Sequence, residues 1–163
     1  MRPITIVAAM LFVIPMIIGS RALGQESSVT LDVKSLKGID AVQVVIDLSD
    51  TGKVSDLDKY TIRTDVELKL RTAGMRVLSE EEDAKAPGSP YLYLNVNLVG
   101  TAVAIEIQLM QAARLVRNDE VAVGATWSQR SLSTNSTAAP VARSLIKDQV
   151  DAFLNAWLSV NPK

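Results

Sequence analysis

Residues 91–98, YLYLNVNL, alternate without a break between aliphatic and polar or aromatic side chains. Successive side chains of a β-strand point to opposite faces, so this period of two predicts a strand with one buried face. The face predicted to be buried carries Leu92, Leu94, Val96 and Leu98. The other face carries Tyr91, Tyr93, Asn95 and Asn97. Such a strand requires a second layer that covers its aliphatic side.

The remaining segments supply that layer and the neighbouring strands. Two segments have apolar residues every three or four positions, which is the period of an amphipathic helix. The first ends at Gly74, a residue suited to a left-handed helix cap. Strands are predicted at residues 38–49, 75–80, 91–98, 101–116 and 121–133, and helices at residues 55–74 and 140–162.

This order of elements predicts the α+β class: two layers, with two helices on one face of a mostly antiparallel sheet of four or five strands. The first strand, the first helix and the second strand can form one right-handed parallel crossover. The last two strands are predicted to form a hairpin, with a bend or bulge near residues 111–113 where the alternation breaks.

The first 24 residues have the pattern of a secretory signal, with a positive start, sixteen uncharged residues at 4–19 and small residues before Gln25. The predicted organisation is therefore a signal peptide at 1–24, a lead-in at 25–37 and one domain at 38–163. Within the lead-in, residues 28–34 alternate weakly through Val29, Leu31 and Val33, and are expected to form either an edge strand or an extended tail. The alternative for the N-terminus is an uncleaved membrane anchor, since sixteen residues fall just short of a span of roughly 17–25. Without an anchor, no stable membrane span is expected, and the protein is predicted to be periplasmic or secreted.

Composition narrows the chemistry further. The chain has no cysteine and no histidine, which excludes disulfides, cysteine nucleophiles and histidine-based triads. We expect no metal site and no cofactor. Removal of residues 1–24 takes away two of the 17 basic residues and none of the 18 acidic ones, so the remaining domain is mildly acidic. A domain of this charge without a basic stripe is not expected to bind nucleic acid.

Short motifs give no enzyme class. Residues 144–147, SLIK, match the serine–lysine pattern of penicillin-recognising enzymes, but the companion motifs are absent. Residues 51–53, TGK, lack the rest of a phosphate loop. The acidic run at 80–83 is expected to be a solvated loop rather than a weak calcium site, and Asn135 begins a glycosylation sequon. Trp127 alternates with Val121, Val123 and Ala125 on what is predicted to be one side of its strand, and it is expected in the core together with Trp157 of the last helix.

The polar face of strand 91–98 is the candidate binding surface. Its site residues are Tyr91, Tyr93, Asn95 and Asn97. The polar neighbours expected on the adjacent strands are Gln43, Asp47, Glu106, Gln108, Thr126, Ser128 and Arg130. Tyrosines, amides and hydroxyls are typical of surfaces that bind partners through hydrogen bonds. Antiparallel sheets also commonly expose a polar face to water without any ligand, so the pattern leaves both interpretations open.

The segments TDVELKLRTAGMRVLSEEE, PYLYLNVNLVG and VDAFLNAWLSVNP resemble small exported bacterial α+β proteins to which no reaction is assigned. The order of a helix ending in RTAG, a short strand, a meander and a last helix is similar to envelope adaptor domains. Examples are the N-terminal domain of TolB and the outer-membrane assembly lipoproteins, although the chain lacks a cysteine for lipid attachment.

These observations predict an exported, non-enzymatic binding or adaptor domain whose partner is an envelope protein or a small ligand. A small hydrolase that uses carboxylates is the first alternative. A structural subunit or inhibitor of an envelope complex is the second. The oligomeric state does not follow from the sequence.

Overall fold

A computed structural model describes residues 32–50, 57–134 and 139–162. The predicted signal, the TGK motif and the sequon at Asn135 lie outside the described residues. Within them the chain forms five strands and three helices after a helical turn at 32–34. The strands are β1 (Ala41–Asp50), β2 (Arg76–Leu78), β3 (Tyr91–Val99), β4 (Ala102–Arg114) and β5 (Val121–Thr134); the helices are α1 (Lys59–Ala73), α2 (Glu80–Asp83) and α3 (Ala139–Val160).

The strands form one sheet in the order β2-β1-β3-β4-β5. β1 pairs in parallel with β2 and with β3, whereas β3–β4 and β4–β5 are antiparallel. The first parallel pair is the predicted crossover through α1. The second arises because the chain returns from β2 past β1 through α2 before it enters β3. The sheet is therefore mixed, and the predicted two-layer α+β class is confirmed.

Local sequence explains where α1 begins and ends. The Asp58 side chain accepts hydrogen bonds from the backbone N–H groups of Tyr60 and Thr61, which have no acceptor within the first turn of the helix. A hydrogen bond from the Thr61 hydroxyl, together with these two backbone bonds, lowers the pKa of Asp58. Gly74 ends the helix with φ of 93°, in the left-handed region that glycine adopts readily.

The core lies between α1 and α3 on one side and the inner face of the sheet on the other. Leu92, Leu94, Val96 and Leu98 are all buried, as the alternation predicts. The long helices contribute their apolar stripes, which include Ile62, Val66, Leu70, Ile146, Val150 and Phe153. We call the opposite side of the sheet, which α1 and α3 do not cover, the outer face.

A β-bulge determines which face of the sheet each side chain of β5 points to. Leu109 pairs with Trp127 and Met110 with Ala125, so Thr126 is the extra residue. Trp127 is buried against Phe153, which confirms the prediction that it belongs to the core. The expectation that Val121 and Val123 share its side is wrong, because the extra residue turns them to the outer face, where both are exposed. The irregularity lies at Leu109–Met110, just before the predicted segment 111–113.

The described part of the lead-in is not a strand. Residues 32–34 are helical and a turn follows, so Val33 lies neither on an edge strand nor in an extended tail. The Leu36 side chain is fully buried in the core. Asn161 at the end of α3 donates from its amide to Leu36 O and accepts from Gly38 N, at 2.9 and 2.7 Å. The indole of Trp157, which is buried as predicted, donates to Ile39 O at 2.6 Å. These bonds fix the lead-in against α3.

The predicted acidic loop is instead the one-turn helix α2, in which Ser79 and Glu82 form a capping box. Its last residue, Asp83, is 8% exposed, and its Oδ1 has no hydrogen-bond partner within the described residues. Burial therefore raises the pKa of Asp83.

We expect Asp83→Asn to raise the melting temperature at pH 7 but not at pH 3. The folded protein holds the Asp83 proton more tightly than the unfolded chain does. Stability is therefore lost as the pH rises from the ordinary carboxyl pKa to the raised one. Thermal unfolding between pH 3 and 7 measures this difference. Glu81→Gln in the exposed part of α2 is the control and should change stability by about 0.5 kcal/mol or less. An equal effect of Asp83→Asn at both pH values would contradict the burial argument.

Candidate functional site

The outer face is a regular grid, because the register places one residue of each strand side by side. Four rows cross β1, β3, β4 and β5 in turn. From one end of the sheet to the other they are Gln43–Tyr91–Met110–Ala125, Val45–Tyr93–Gln108–Ser128, Asp47–Asn95–Glu106–Arg130 and Ser49–Asn97–Ala104–Leu132. All four predicted site residues thus lie together in the middle of the face, and each is partly exposed.

Tyr93 is held by a bond to the neighbouring strand. Its hydroxyl donates to Asp47 Oδ2 at 3.0 Å, which spans β3 and β1. Burial raises the pKa of the Tyr93 phenol, and the hydrogen bond to Asp47 raises it further. The hydroxyl therefore stays protonated and serves as a fixed donor on a side chain that is partly exposed.

The two asparagines are linked to each other. The amide of Asn97 donates to Asn95 Oδ1 at 2.6 Å. This bond fixes the direction of both side chains along β3 and fills one acceptor position of Asn95. The remaining amide groups are presented on a partly exposed surface, where they can bond to a ligand.

The third row brings together the charged residues that were expected on the neighbouring strands. Asp47 and Glu106 lie on either side of Asn95, and Glu106 accepts from Arg130 at 2.6 Å and from Gln108 at 2.8 Å. These residues form a polar strip with two carboxylates and one arginine. Alternation along one strand does not reveal this row, because the row is defined by register between strands.

At the far end of the grid, apolar side chains form a margin beside Asn97. Leu132 and Val99 are exposed, and Ala104 lies beside Leu132. A shallow depression of about 530 Å³ opens here between Asn97, Ala104, Glu106, Arg130 and Leu132. The outer face therefore offers a polar centre next to an apolar margin.

One predicted neighbour is missing from this surface. Thr126 was expected beside Ser128 and Arg130, but as the bulge residue it turns away from them. Its hydroxyl accepts from Gln111 Nε2 at 2.9 Å, and its backbone oxygen accepts from the hydroxyl of Ser35 at 3.0 Å. The second of these bonds attaches the lead-in to the hairpin of β4 and β5.

Within the described residues, the carboxylates and the serine–lysine pair that could act in catalysis lie at separate places. Asp47 and Glu106 lie on the open face, whereas the carboxyl with a raised pKa is that of Asp83 in α2. Ser144 and Lys147 line a surface depression on α3 with Ala139, Pro140 and Arg143. Across residues 32–50, 57–134 and 139–162, no three acidic side chains group in a way that could hold a metal ion. Of the helices within those ranges, none is both long and apolar enough to cross a membrane.

Comparison with known proteins identifies no family for this chain. No family model and no curated protein sequence matches it. Eleven chains of known structure are similar to it. Two of them are PelC dodecamers from Paraburkholderia phytofirmans, each with a TM-score of 0.42. The first, a variant with one substitution, is 17% identical over 72% of this chain and 87% of that chain. The second form is 15% identical over 72% of this chain and 86% of that chain.

A further similar structure is the C-terminal domain of LpoB from Salmonella enterica, at 15% identity over 66% of this chain and 95% of that chain, with a TM-score of 0.41. The resemblance to the N-terminal domain of TolB stays a prediction.

Proposed function

We propose that the protein is an exported binding or adaptor domain that holds a partner protein of the cell envelope on its outer face. Export is inferred from the signal pattern in residues 1–24. One observation carries the binding role: both long helices pack on the inner face, so the row of Tyr91, Tyr93, Asn95 and Asn97 has no covering layer among the described residues.

The residues on this face suit the binding of a protein better than simple exposure to water. Tyr93 and Asn97 are fixed by bonds to Asp47 and Asn95, so they lose little freedom when a partner binds. Rigid tyrosines and amides beside an apolar margin reproduce the mixture of groups found in protein interfaces. The margin at Leu132 and Val99 provides the apolar contact.

Site-specific cross-linking in cells tests the proposal. A photoreactive residue replaces Asn97 on the outer face, and in a control it replaces Leu68, which is 62% exposed on α1. We expect an adduct of defined mass from the first position and none of that mass from the second. Tyr93→Ala combined with Asn95→Ala should remove the adduct without unfolding the domain, because both side chains are partly exposed.

The outcomes separate the candidate functions. Adducts that are equal at both positions, or that persist in the double variant, would contradict a role for this face. A hydrolase that uses carboxylates is the alternative with named residues, Asp47 and Glu106. It predicts loss of a measurable hydrolytic activity in Asp47→Asn and Glu106→Gln, whereas the binding proposal predicts no such activity in the unchanged protein.

A further inference from the structure

Charge on the outer face is unbalanced at the β1 end of the third row. Of the charged side chains in that row, Glu106 and Arg130 form an ion pair, with the nearest atoms 2.6 Å apart. Asp47 is exposed, and among the described residues no lysine or arginine pairs with it. The other three rows contain no charged residue. The four rows therefore carry an excess of negative charge, and it lies at Asp47.

The Asp47 carboxylate can accept further hydrogen bonds. The hydroxyl of Tyr93 donates to one of its oxygens, Oδ2. Two carboxylate oxygens offer about four acceptor positions, so most of this capacity remains open within the described part of the chain. The donor is a neutral phenol, which leaves the negative charge of Asp47 uncompensated. A carboxylate beside an aromatic ring suits a cation, because the ring attracts positive charge and the carboxylate can accept two parallel bonds from a guanidinium.

The arginine of the third row is too distant to repel a cation at Asp47. Arg130 and Asp47 stand at opposite ends of the row, three strand spacings or roughly 14 Å apart. Surface charges are largely screened beyond about 8 Å at physiological ionic strength. An anion at the β1 end would be repelled by Asp47, and no lysine or arginine of the four rows lies close enough to offset that repulsion. This end of the face therefore favours a positively charged group.

We propose that the partner protein binds the outer face through a lysine or arginine that pairs with Asp47 beside Tyr93, and through an apolar group in the depression at Leu132. This inference rests on the proposed function and specifies the surface of the partner. The depression also borders Asn97 and Ala104, and Leu132 lies roughly 16 Å from Asp47 across the sheet. The partner therefore presents a cation and an apolar side chain at about that separation. The charge sets specificity and the rate of encounter, and the apolar contact adds affinity.

Charge variants of the chain with a photoreactive residue at position 97 test this inference in cells. Asp47→Asn removes the charge and keeps an oxygen that can accept from Tyr93. We expect it to lower the yield of the adduct about threefold or more, and Asp47→Lys to lower the yield further. Asp148→Asn and Asp148→Lys are the matched controls, because Asp148 is exposed on α3 at the other side of the sheet. Both should leave the yield unchanged.

Addition of negative charge tests the opposite direction. Ser49 is exposed and lies two residues beyond Asp47 on the same face of β1. Ser49→Asp should raise the yield of the adduct about twofold, whereas the uncharged Ser49→Asn should not. Both variants leave the bond between Tyr93 and Asp47 in place, so they decide the question even if a substitution at Asp47 unfolds the domain. Thermal unfolding of each variant checks that it is folded.

The outcomes distinguish this inference from the proposed function. If the chain without charge variants gives no adduct from position 97, both are refuted. If it gives an adduct whose yield does not respond to charge at positions 47 and 49, or whose yield rises in Asp47→Lys, the partner presents no cation there. In that case only this inference fails. An adduct with the mass of two copies of the chain would show that the face binds a second copy instead of another envelope protein, and it would overturn both.

Discussion

Phe153→Ala is expected to lower the free energy of unfolding by about 3–5 kcal/mol, the usual range for removal of a buried phenylalanine. The side chain is fully buried in α3, and its ring meets the ring of Trp127 edge to face, with centroids 5.3 Å apart. The substitution removes apolar contacts and leaves a cavity between α3 and the bulged strand. Because small domains are stable by about 5–15 kcal/mol, this loss is a large part of the total. Urea unfolding followed by tryptophan fluorescence measures it.

Leu158→Ala in the same helix is the matched control. Leu158 is 37% exposed, although its position in the helical stripe predicts burial. We expect it to cost clearly less than Phe153→Ala, because fewer buried contacts are lost. If both variants lost the same free energy, α3 would not pack as described. If Phe153→Ala cost less than about 1 kcal/mol, the core would not depend on the contact between α3 and β5.

Most of the fold follows from local patterns in the sequence. The period of two at residues 91–98 and the helical periods of α1 and α3 depend on neighbouring residues alone. Gly74 ends α1 as predicted, because a left-handed cap favours glycine wherever it occurs. The layers and the helix-bearing face then follow from the need to bury the aliphatic rows.

The features that were not predicted depend on contacts between distant segments. Val121, Val123 and Trp127 alternate in the sequence as one face, and only the pairing with β4 shows that Thr126 is an extra residue. The parallel pair of β1 and β3 likewise depends on where the chain returns after α2. Leu36 could not be assigned to the core, because a single leucine in a short polar segment has no period.

In the candidate site, too, some features follow from local sequence and others from the pairing of distant strands. The direction of Tyr91, Tyr93, Asn95 and Asn97 follows from alternation, and the structure agrees with it. The bond from Tyr93 to Asp47 and the row that joins Asn95 to Glu106 require the register of three strands. The sequence therefore predicts the strand that carries the site and places Asp47 and Glu106 on its face, but it does not predict that these two carboxylates lie on either side of Asn95.

A chain that begins at Gly38 is expected to be less stable than one that begins at Asp32, by about 2–5 kcal/mol or more. This test concerns the predicted boundary between the lead-in and the domain. The shorter chain loses Leu36, whose removal from a core costs that much even when only its side chain is truncated. It also loses the bond from Asn161 to Leu36 O. The Asn161 amide is then left with fewer acceptors at the end of α3.

Urea unfolding of the two chains and of Leu36→Ala in the longer one separates the contributions. We expect Leu36→Ala to account for most of the loss, and the shorter chain to be weaker still because the bonds at Ser35 and Asn161 go with it. Chains of equal stability would place the domain boundary at residue 38, as the sequence predicts. A less stable shorter chain would instead show that the lead-in is part of the fold, because the buried side chain of Leu36 comes from outside the predicted domain.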